Sequence, residues 1–210
     1  MVTPSNVLPG HDGRPRCPWS LASASLTAYH DDEWGRVLRG DRALFERMSL
    51  EAFQAGLSWR IVLERRDRLR GAFAGFDPSA LVQFDDSDID RLLRDPTIIR
   101  NRAKITAVLG NARVLAALHA VHGPNALDAL IWAQHQTGRA RPRRVEDVPS
   151  RSEASTALAG ELRRLGFRFV GPTTVYSLMQ AIGVVDDHLA ECSVERATGE
   201  PTAVNPDVAR

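Results

Sequence analysis

Two cysteines and a pair of histidines offer the clearest metal chemistry in this 210-residue chain. In Asp186-Asp187-His188-Leu189-Ala190-Glu191-Cys192, His188 and Cys192 stand four apart, which on a helix places both on one face within reach of one ion. Cys17 and His30 lie thirteen apart near the other end, too far for neighbours on one helix but close enough for a loop to join. Two thiolates and two imidazoles make a Cys₂His₂ set, the closed tetrahedral shell of a structural Zn²⁺, with no position left for a reactive water. The set uses both cysteines and would tie the two ends of the chain together, so that binding free energy becomes folding free energy. Spacing alone favours a plainer alternative, two buried thiols with surface or capping histidines, as expected also for His11, His119, His122 and His135. A zinc deaminase is disfavoured because no Pro-Cys-x-x-Cys element follows a His-x-Glu.

A second constellation is aromatic. Trp19, Tyr29, Trp34 and Trp59, three of the four tryptophans and one of the two tyrosines, fall between positions 19 and 59. Glu51 sits in an apolar helical run between Leu50 and Ala52, where an unpaired carboxylate is costly to bury. A carboxylate among aromatic rings suits a cationic heteroaromatic ligand, with rings stacking on it and the carboxylate taking its N–H groups. Periodicity by itself favours an aromatic core with an exposed or salt-bridged glutamate.

Glycines bracket the third stretch, Leu165-Gly166-Phe167-Arg168-Phe169-Val170-Gly171-Pro172-Thr173-Thr174, which reads as helix, hairpin, helix. Amide N–H groups presented at the start of a helix form an anion site suited to a DNA phosphate, and Arg163, Arg164 and Arg168 add charge beside it. A plain interhelical turn packed by Phe167 and Phe169 explains the same residues equally well.

The elements that must position these groups are helices. Apolar residues recur at three- and four-residue spacing through most of the middle, as in Ile98-Ile99, Ile105, Val108-Leu109, Ala112 and Leu115-Ala116, while alternating strand-type runs are scarce. The chain is therefore expected to be all-α and two-lobed. Asp77-Pro78-Ser79 opens a short helix, Ser87 to Leu93 form another that ends at Asp95-Pro96, and Gly123-Pro124-Asn125 starts the next. Residues 136–150, rich in Pro and Arg, read as a long loop between lobes, after which Ser150 or Ser152 caps a helix. Residues 17–195 form the folded domain, and the polar, Pro-bearing ends, 1–16 and 196–210, are expected to fray.

Composition bounds the function. Lys plus Arg number 27 against 26 Asp plus Glu, so no global field steers polyanions and any nucleic-acid contact must be local. No run of about 18 apolar residues crosses a membrane, and no apolar secretory stretch opens the chain. A reducing cytoplasm is expected, which makes a disulfide the weaker explanation of the cysteines.

Cys17-Pro18-Trp19, Tyr29-His30-Asp31-x-Glu33-Trp34-Gly35, Leu50-Glu51-x-x-Gln54-Ala55-Gly56-Leu57-Ser58-Trp59, Ile98-Ile99-Arg100-x-Arg102-x-Lys104-Ile105, Gly166-Phe167-x-Phe169-Val170-Gly171 and Asp187-His188 together resemble the bacterial DNA-3-methyladenine glycosylase I family. The resemblance runs from Cys17 to Cys192. It implies a helix-hairpin-helix glycosylase fold, a structural zinc at Cys17, His30, His188 and Cys192, and excision of 3-methyladenine from alkylated double-stranded DNA. It implies further that Glu51 and Tyr29 contact the extruded base, that Trp59 stacks on it and Trp19 lines the pocket. The hairpin residues Gly166, Arg168, Gly171 and Thr173 become the DNA contacts, and the enzyme is expected to be a monomer.

One departure stands out: the family usually has an Asp-Pro-Leu-Tyr-like stretch where this chain reads Ser23-Ala24-Ser25-Leu26, so the pocket is expected to lose a stacking face or hydroxyl at Leu26. Asp187 is expected to orient its neighbour His188 as a zinc ligand. A strand-nicking glycosylase needs an amine nucleophile near the hairpin, and Lys104, the only lysine, lies elsewhere, so a monofunctional enzyme is expected. Rival readings are a non-catalytic, zinc-clipped DNA-binding module and a glycosylase for a different modified base.

Overall fold

The computed structural model describes residues 6–136 and 138–195. Ten α-helices occur among them: α1 (Ala24–Asp32), α2 (Asp41–Gln54), α3 (Trp59–Leu63), α4 (Arg66–Ala72), α5 (Pro78–Leu81), α6 (Asp86–Arg94), α7 (Arg102–His122), α8 (Ala126–Trp132), α9 (Glu153–Arg164) and α10 (Pro172–Ala181). The all-α expectation holds. Short polar side chains start several of these helices by taking up otherwise unpaired amides. Ser23 accepts from the Leu26 amide, Asp77 from Ser79, Asp85 from Ser87 and Asp88, and Asn101 from Lys104. Of the two serines expected to open α9, Ser152 does so, paired reciprocally with Ser155.

The helices gather in two groups that share α2. On one side α5, α6 and α8 pack round α7; on the other α10 packs against both α9 and α2, and α1 against α3. Because α2 has neighbours on several sides, most of its residues are buried, including Leu44, Phe45, Met48, Leu50 and Phe53. A single core runs through both groups and takes in Phe73, Phe76, Leu109, Leu162 and Met179. The 21-residue α7 is long and apolar enough to cross a bilayer by length and composition. Its apolar side chains Ile105, Val108, Leu109, Ala112 and Leu115 instead belong to that core.

One difference from the sequence reading falls at the N-terminal side. Residues 6–16, placed in a fraying segment, form an antiparallel ribbon of β1 (Leu8–Pro9) and β2 (Pro15–Arg16). Arg16 anchors it: only 4% exposed, its guanidinium binds Asp12 and reaches Asp31 at 2.7 Å. Two-residue strands bearing prolines have no periodic signal, and the Arg16–Asp31 pair that ties them to α1 joins residues fifteen apart. Residues 1–5 and the tail 196–210 lie outside the described residues. The loop between α8 and α9 is irregular apart from a 3₁₀ turn at Val145–Asp147. Two of its arginines tie it to the C-terminal turn: Arg139 binds Asp187, and Arg141 binds Asp186 and the Val194 carbonyl, while Arg143, Arg144 and Arg151 are exposed.

Candidate active site and metal centre

Cys17, His30, His188 and Cys192 come together, all buried, with their ligating atoms within 4.8 Å of one another. The route differs from the one expected. His188 and Cys192 are not on a helix: the chain turns after α10, with the Cys192 amide donating to the Leu189 carbonyl and the Ala190 amide to Pro142 in the interlobe loop. Gly183, at φ +80°, permits this turn where a Cβ would come within 2.9 Å of the backbone of Gly35 and Arg36.

The outer nitrogens of both imidazoles are committed. His30 Nδ1 lies 2.8 Å from the Asp31 carboxylate, and His188 Nε2 lies 3.0 Å from the Trp34 carbonyl. Both partners accept only, so these two nitrogens carry protons, and the tautomer they fix leaves the inward nitrogens as the ones that can offer lone pairs to an ion. Those inward atoms, His30 Nε2 and His188 Nδ1, face each other at 3.2 Å, with Cys192 Sγ at 3.5 and 3.7 Å from them. The thiols show the same frustration. The hydrogen bond from Cys17 draws Cys192 down towards the thiolate, while that same contact and burial push Cys17 up. Two inward-facing imidazole nitrogens beside two paired thiols describe a cluster that could hold a metal ion, which would let both sulfurs ionise. The group that orients a ligand is Asp31, not Asp187. Asp187 is bound by Arg139, by the Tyr176 hydroxyl at 2.6 Å and by Gln180 at 2.8 Å.

Beside this cluster opens a cavity of about 270 Å³ whose wall includes Trp19, Tyr29, Trp34, Glu51, Gln54 and Trp59. The chain brings them from separate elements: Trp19 from the 3₁₀ helix Pro18–Ala22, Tyr29 from α1, Glu51 and Gln54 from α2, and Trp59 from the first turn of α3. The aromatic rings lean on the Cys/His cluster. Trp34 packs edge-on against His188 at 4.6 Å and Trp19 against Trp34 at 5.1 Å, while Tyr29 and Trp59 are 5.2 Å apart. All four residues expected in the pocket thus share one cavity. Gln54, Trp34, Ser177 and Gln180 also line it. Gln54 and Trp34 stand in the motifs quoted above; Ser177 and Gln180, on α10, carry no signal readable from spacing.

Glu51 is 4% exposed, and burial pushes its carboxyl up to about 8, with Arg47 opposing. The indole N–H of Trp59 is buried and finds no acceptor among the described residues. Leu26 is buried but is not part of the cavity wall, so the loss expected there does not fall on the lining.

The turn between α9 and α10 keeps its residues outward. Gly166, Arg168 and Thr173 are exposed and Gly171 is partly so, while Phe167 and Val170 are buried. Gly166, at φ +104°, and Phe169, at +58°, occupy positive-φ backbone. Asn111 of α7 holds the turn by accepting from the Arg168 amide at 2.8 Å and donating to its carbonyl at 3.1 Å.

A helical frame closing an aromatic cavity over a buried carboxylate defines the class: this is a helical DNA glycosylase fold. The family model described as methyladenine glycosylase matches residues 19–196, and the chain belongs to that family. It is 40% identical over 179 residues to DNA-3-methyladenine glycosylase 1 of Escherichia coli K12, covering 84% of this chain and 95% of the relative. The Haemophilus influenzae DNA-3-methyladenine glycosylase is likewise 40% identical, over 84% of this chain and 96% of its own length. A crystal structure of 3-methyladenine DNA glycosylase I superposes with a TM-score of 0.80 at 39% identity, covering 85% of this chain and 98% of the other. A variant of such an enzyme solved in complex with 3-methyladenine gives 0.77 at 29% identity, over 85% and 96% of the two chains.

Proposed function

We propose that this protein is a monofunctional glycosylase that hydrolyses the N-glycosidic bond of 3-methyladenine in double-stranded DNA and leaves an abasic site. The observation that carries the reading is the buried carboxylate of Glu51 in an aromatic cavity. Ionising Glu51 in the empty cavity is unfavourable, and a cationic ring brought beside it removes that penalty. Methylation at N3 makes adenine cationic, so the cavity favours the lesion over neutral adenine. The same charge lets the base depart as a neutral leaving group.

The lesion is turned out of the duplex, Glu51 and Tyr29 take its hydrogen-bonding edge, Trp59 stacks on it and Trp19 closes the wall. Water attacks the sugar carbon of an oxocarbenium-like transition state, stabilised by the DNA phosphates and a carboxylate. The turn around Gly166, Arg168, Gly171 and Thr173 acts as a helix-hairpin-helix phosphate site, using amides at the start of α10.

The four-residue cluster holds one structural Zn²⁺. At ordinary Zn–N and Zn–S lengths a tetrahedron has N···N edges of roughly 3.3 Å and S···N edges of roughly 3.6 Å. The observed 3.2 Å and 3.5 to 3.7 Å match these edges. The ion joins the two ends of the chain and supports the aromatic wall. We assign residues 17–195 to one glycosylase domain of a cytoplasmic, monomeric protein.

Chromatography of the bases released from methylated duplex DNA tests the reading, with Glu51→Gln in parallel. Wild type is expected to free 3-methyladenine and the variant to bind duplex without freeing it. Duplex binding with no base released by wild type would instead support a non-catalytic module, and release of another base alone would reassign the substrate.

A further inference from the structure

Behind the cavity wall, one turn before Glu51 on α2, the side chain of Arg47 is buried against Tyr29. Its Nη1 donates to the Tyr29 hydroxyl at 3.0 Å, and its Nη2 reaches Glu33 Oε2 at 3.3 Å. Arg66 grips Glu33 with both Nη atoms, so the guanidinium is held by a fixed carboxylate. The cation also lies 5.3 Å from the Tyr29 ring centroid and 6.0 Å from that of Trp59. Arg47 does not itself line the cavity; whatever it does to a ligand passes through Tyr29 and Glu51.

We propose that Arg47 is a positioning residue that fixes the hydrogen-bond polarity of the base-reading edge and thereby selects alkylated adenine over alkylated guanine. A guanidinium has donors only, so the Tyr29 oxygen must accept in this contact. The phenol proton is thereby turned off the Arg47 side, and no other described group hydrogen-bonds this hydroxyl. Tyr29 then presents a donor to the cavity. Arg47 also favours the ionised form of Glu51, which accepts only. A donor beside an acceptor complements adenine, whose N6 amine donates next to the N7 acceptor. Guanine offers two acceptors, O6 and N7, and sets one of them against the Glu51 carboxylate. Without Arg47 the phenol is free to rotate, Glu51 is more easily protonated, and the edge no longer has a fixed polarity.

This inference rests on the base-binding role proposed for the cavity, and the test separates the two. Free 3-methyladenine and 3-methylguanine are titrated into wild type, Arg47→Met, Arg47→Gln and Arg47→Lys, following tryptophan fluorescence, with circular dichroism reporting the fold. Wild type is expected to prefer the adenine. Arg47→Met should narrow the ratio of the two dissociation constants by about fivefold or more, the worth of one net hydrogen bond. Arg47→Lys, also a pure donor, should keep most of the ratio, and in a Tyr29→Phe background Arg47→Met should narrow it less, leaving only the part that passes through Glu51. If Arg47→Met does not fold, Arg47→Gln decides, with a narrowed ratio expected. The inference is overturned by an unchanged ratio in the folded variant, by equal weakening of both bases, by failure of lysine to preserve the ratio, or by additivity with Tyr29→Phe. Wild type that binds neither base overturns the function reading and this inference with it.

Discussion

Lys104 donates its ammonium to the carbonyl of Phe53 at 2.8 Å, closing the end of the helix that carries Glu51. The next carbonyl it takes is that of Ala55, so the one lysine of the chain acts as a C-terminal cap for α2. It is 5% exposed, and burial lowers its pKa without bringing the amine to the cavity wall. Borohydride added during turnover on methylated DNA should therefore trap no protein–DNA adduct, and a trapped adduct would refute the monofunctional reading. Lys104→Met should lower stability by about 1–3 kcal/mol in thermal melts, because two carbonyls lose a charged donor.

Glu51 should leave a signature in stability as well as in activity. Its folded-state pKa, about 8, lies above the ordinary 4.5, so folding favours the acid and ionisation costs stability. That cost grows as pH rises through about 4.5 and levels off above about 8. Glu51→Gln should match wild type near pH 4 and exceed it by a few kcal/mol above pH 8. Melting temperatures measured across this range check it, and a difference that stays flat with pH would remove the buried-acid account. In the same variant, base release should fall at least about a hundredfold.

The metal cluster predicts one zinc per chain by elemental analysis, and a large fall in melting temperature on chelation or in Cys192→Ser. The carboxylate behind His30 gives the sharper prediction. Asp31→Asn should weaken zinc affinity by about 10–100-fold. Asp187→Asn should leave it unchanged, because Asp187 binds Arg139, Tyr176 and Gln180 and touches neither ring. Equal effects of the two substitutions, read by competition with a chromogenic chelator, would contradict the assignment.

Asn111 offers a way to disturb the turn between α9 and α10 without touching its charges. Asn111→Ala removes both hydrogen bonds to the Arg168 backbone. Duplex affinity should fall by about tenfold if the turn presents its amides to phosphate. Free 3-methyladenine should bind as before, since Asn111 is not on the cavity wall. Anisotropy titrations with unmodified duplex, beside base titrations, distinguish the two effects.

Local signals carried most of the fold. Asp77 and Ser152 cap the helices expected to open there, while the caps at Asp85 and Asn101 emerge only with the structure. The site was legible where chemistry is rare: two cysteines in the whole chain and a glutamate within an apolar run. What remained hidden depends on distant partners. His188 and Cys192 meet through a turn tied to Pro142, which a spacing of four cannot distinguish from a helix. Asp187 adjoins His188 in sequence, yet the backbone carries its carboxylate towards Tyr176, while Asp31 serves His30. Arg47 reads as an ordinary charged residue of α2 until Tyr29 and Glu33 are folded against it.

The cavity wall joins residues from opposite ends of the chain, with Cys17 to Trp19 on one side and Leu189 on the other. The Leu189 amide rests on the Cys17 sulfur at 3.4 Å, and the Ser193 amide donates to the Pro15 carbonyl at 2.8 Å. Translation delivers these partners in order, so Trp19 waits for all the intervening helices to be made before Leu189 can join it on the wall. A ribosome that stalls before Cys192 releases a chain with helices but no finished pocket. Synthesis of Leu189 and closure of the wall that begins at Cys17 are thereby the same event.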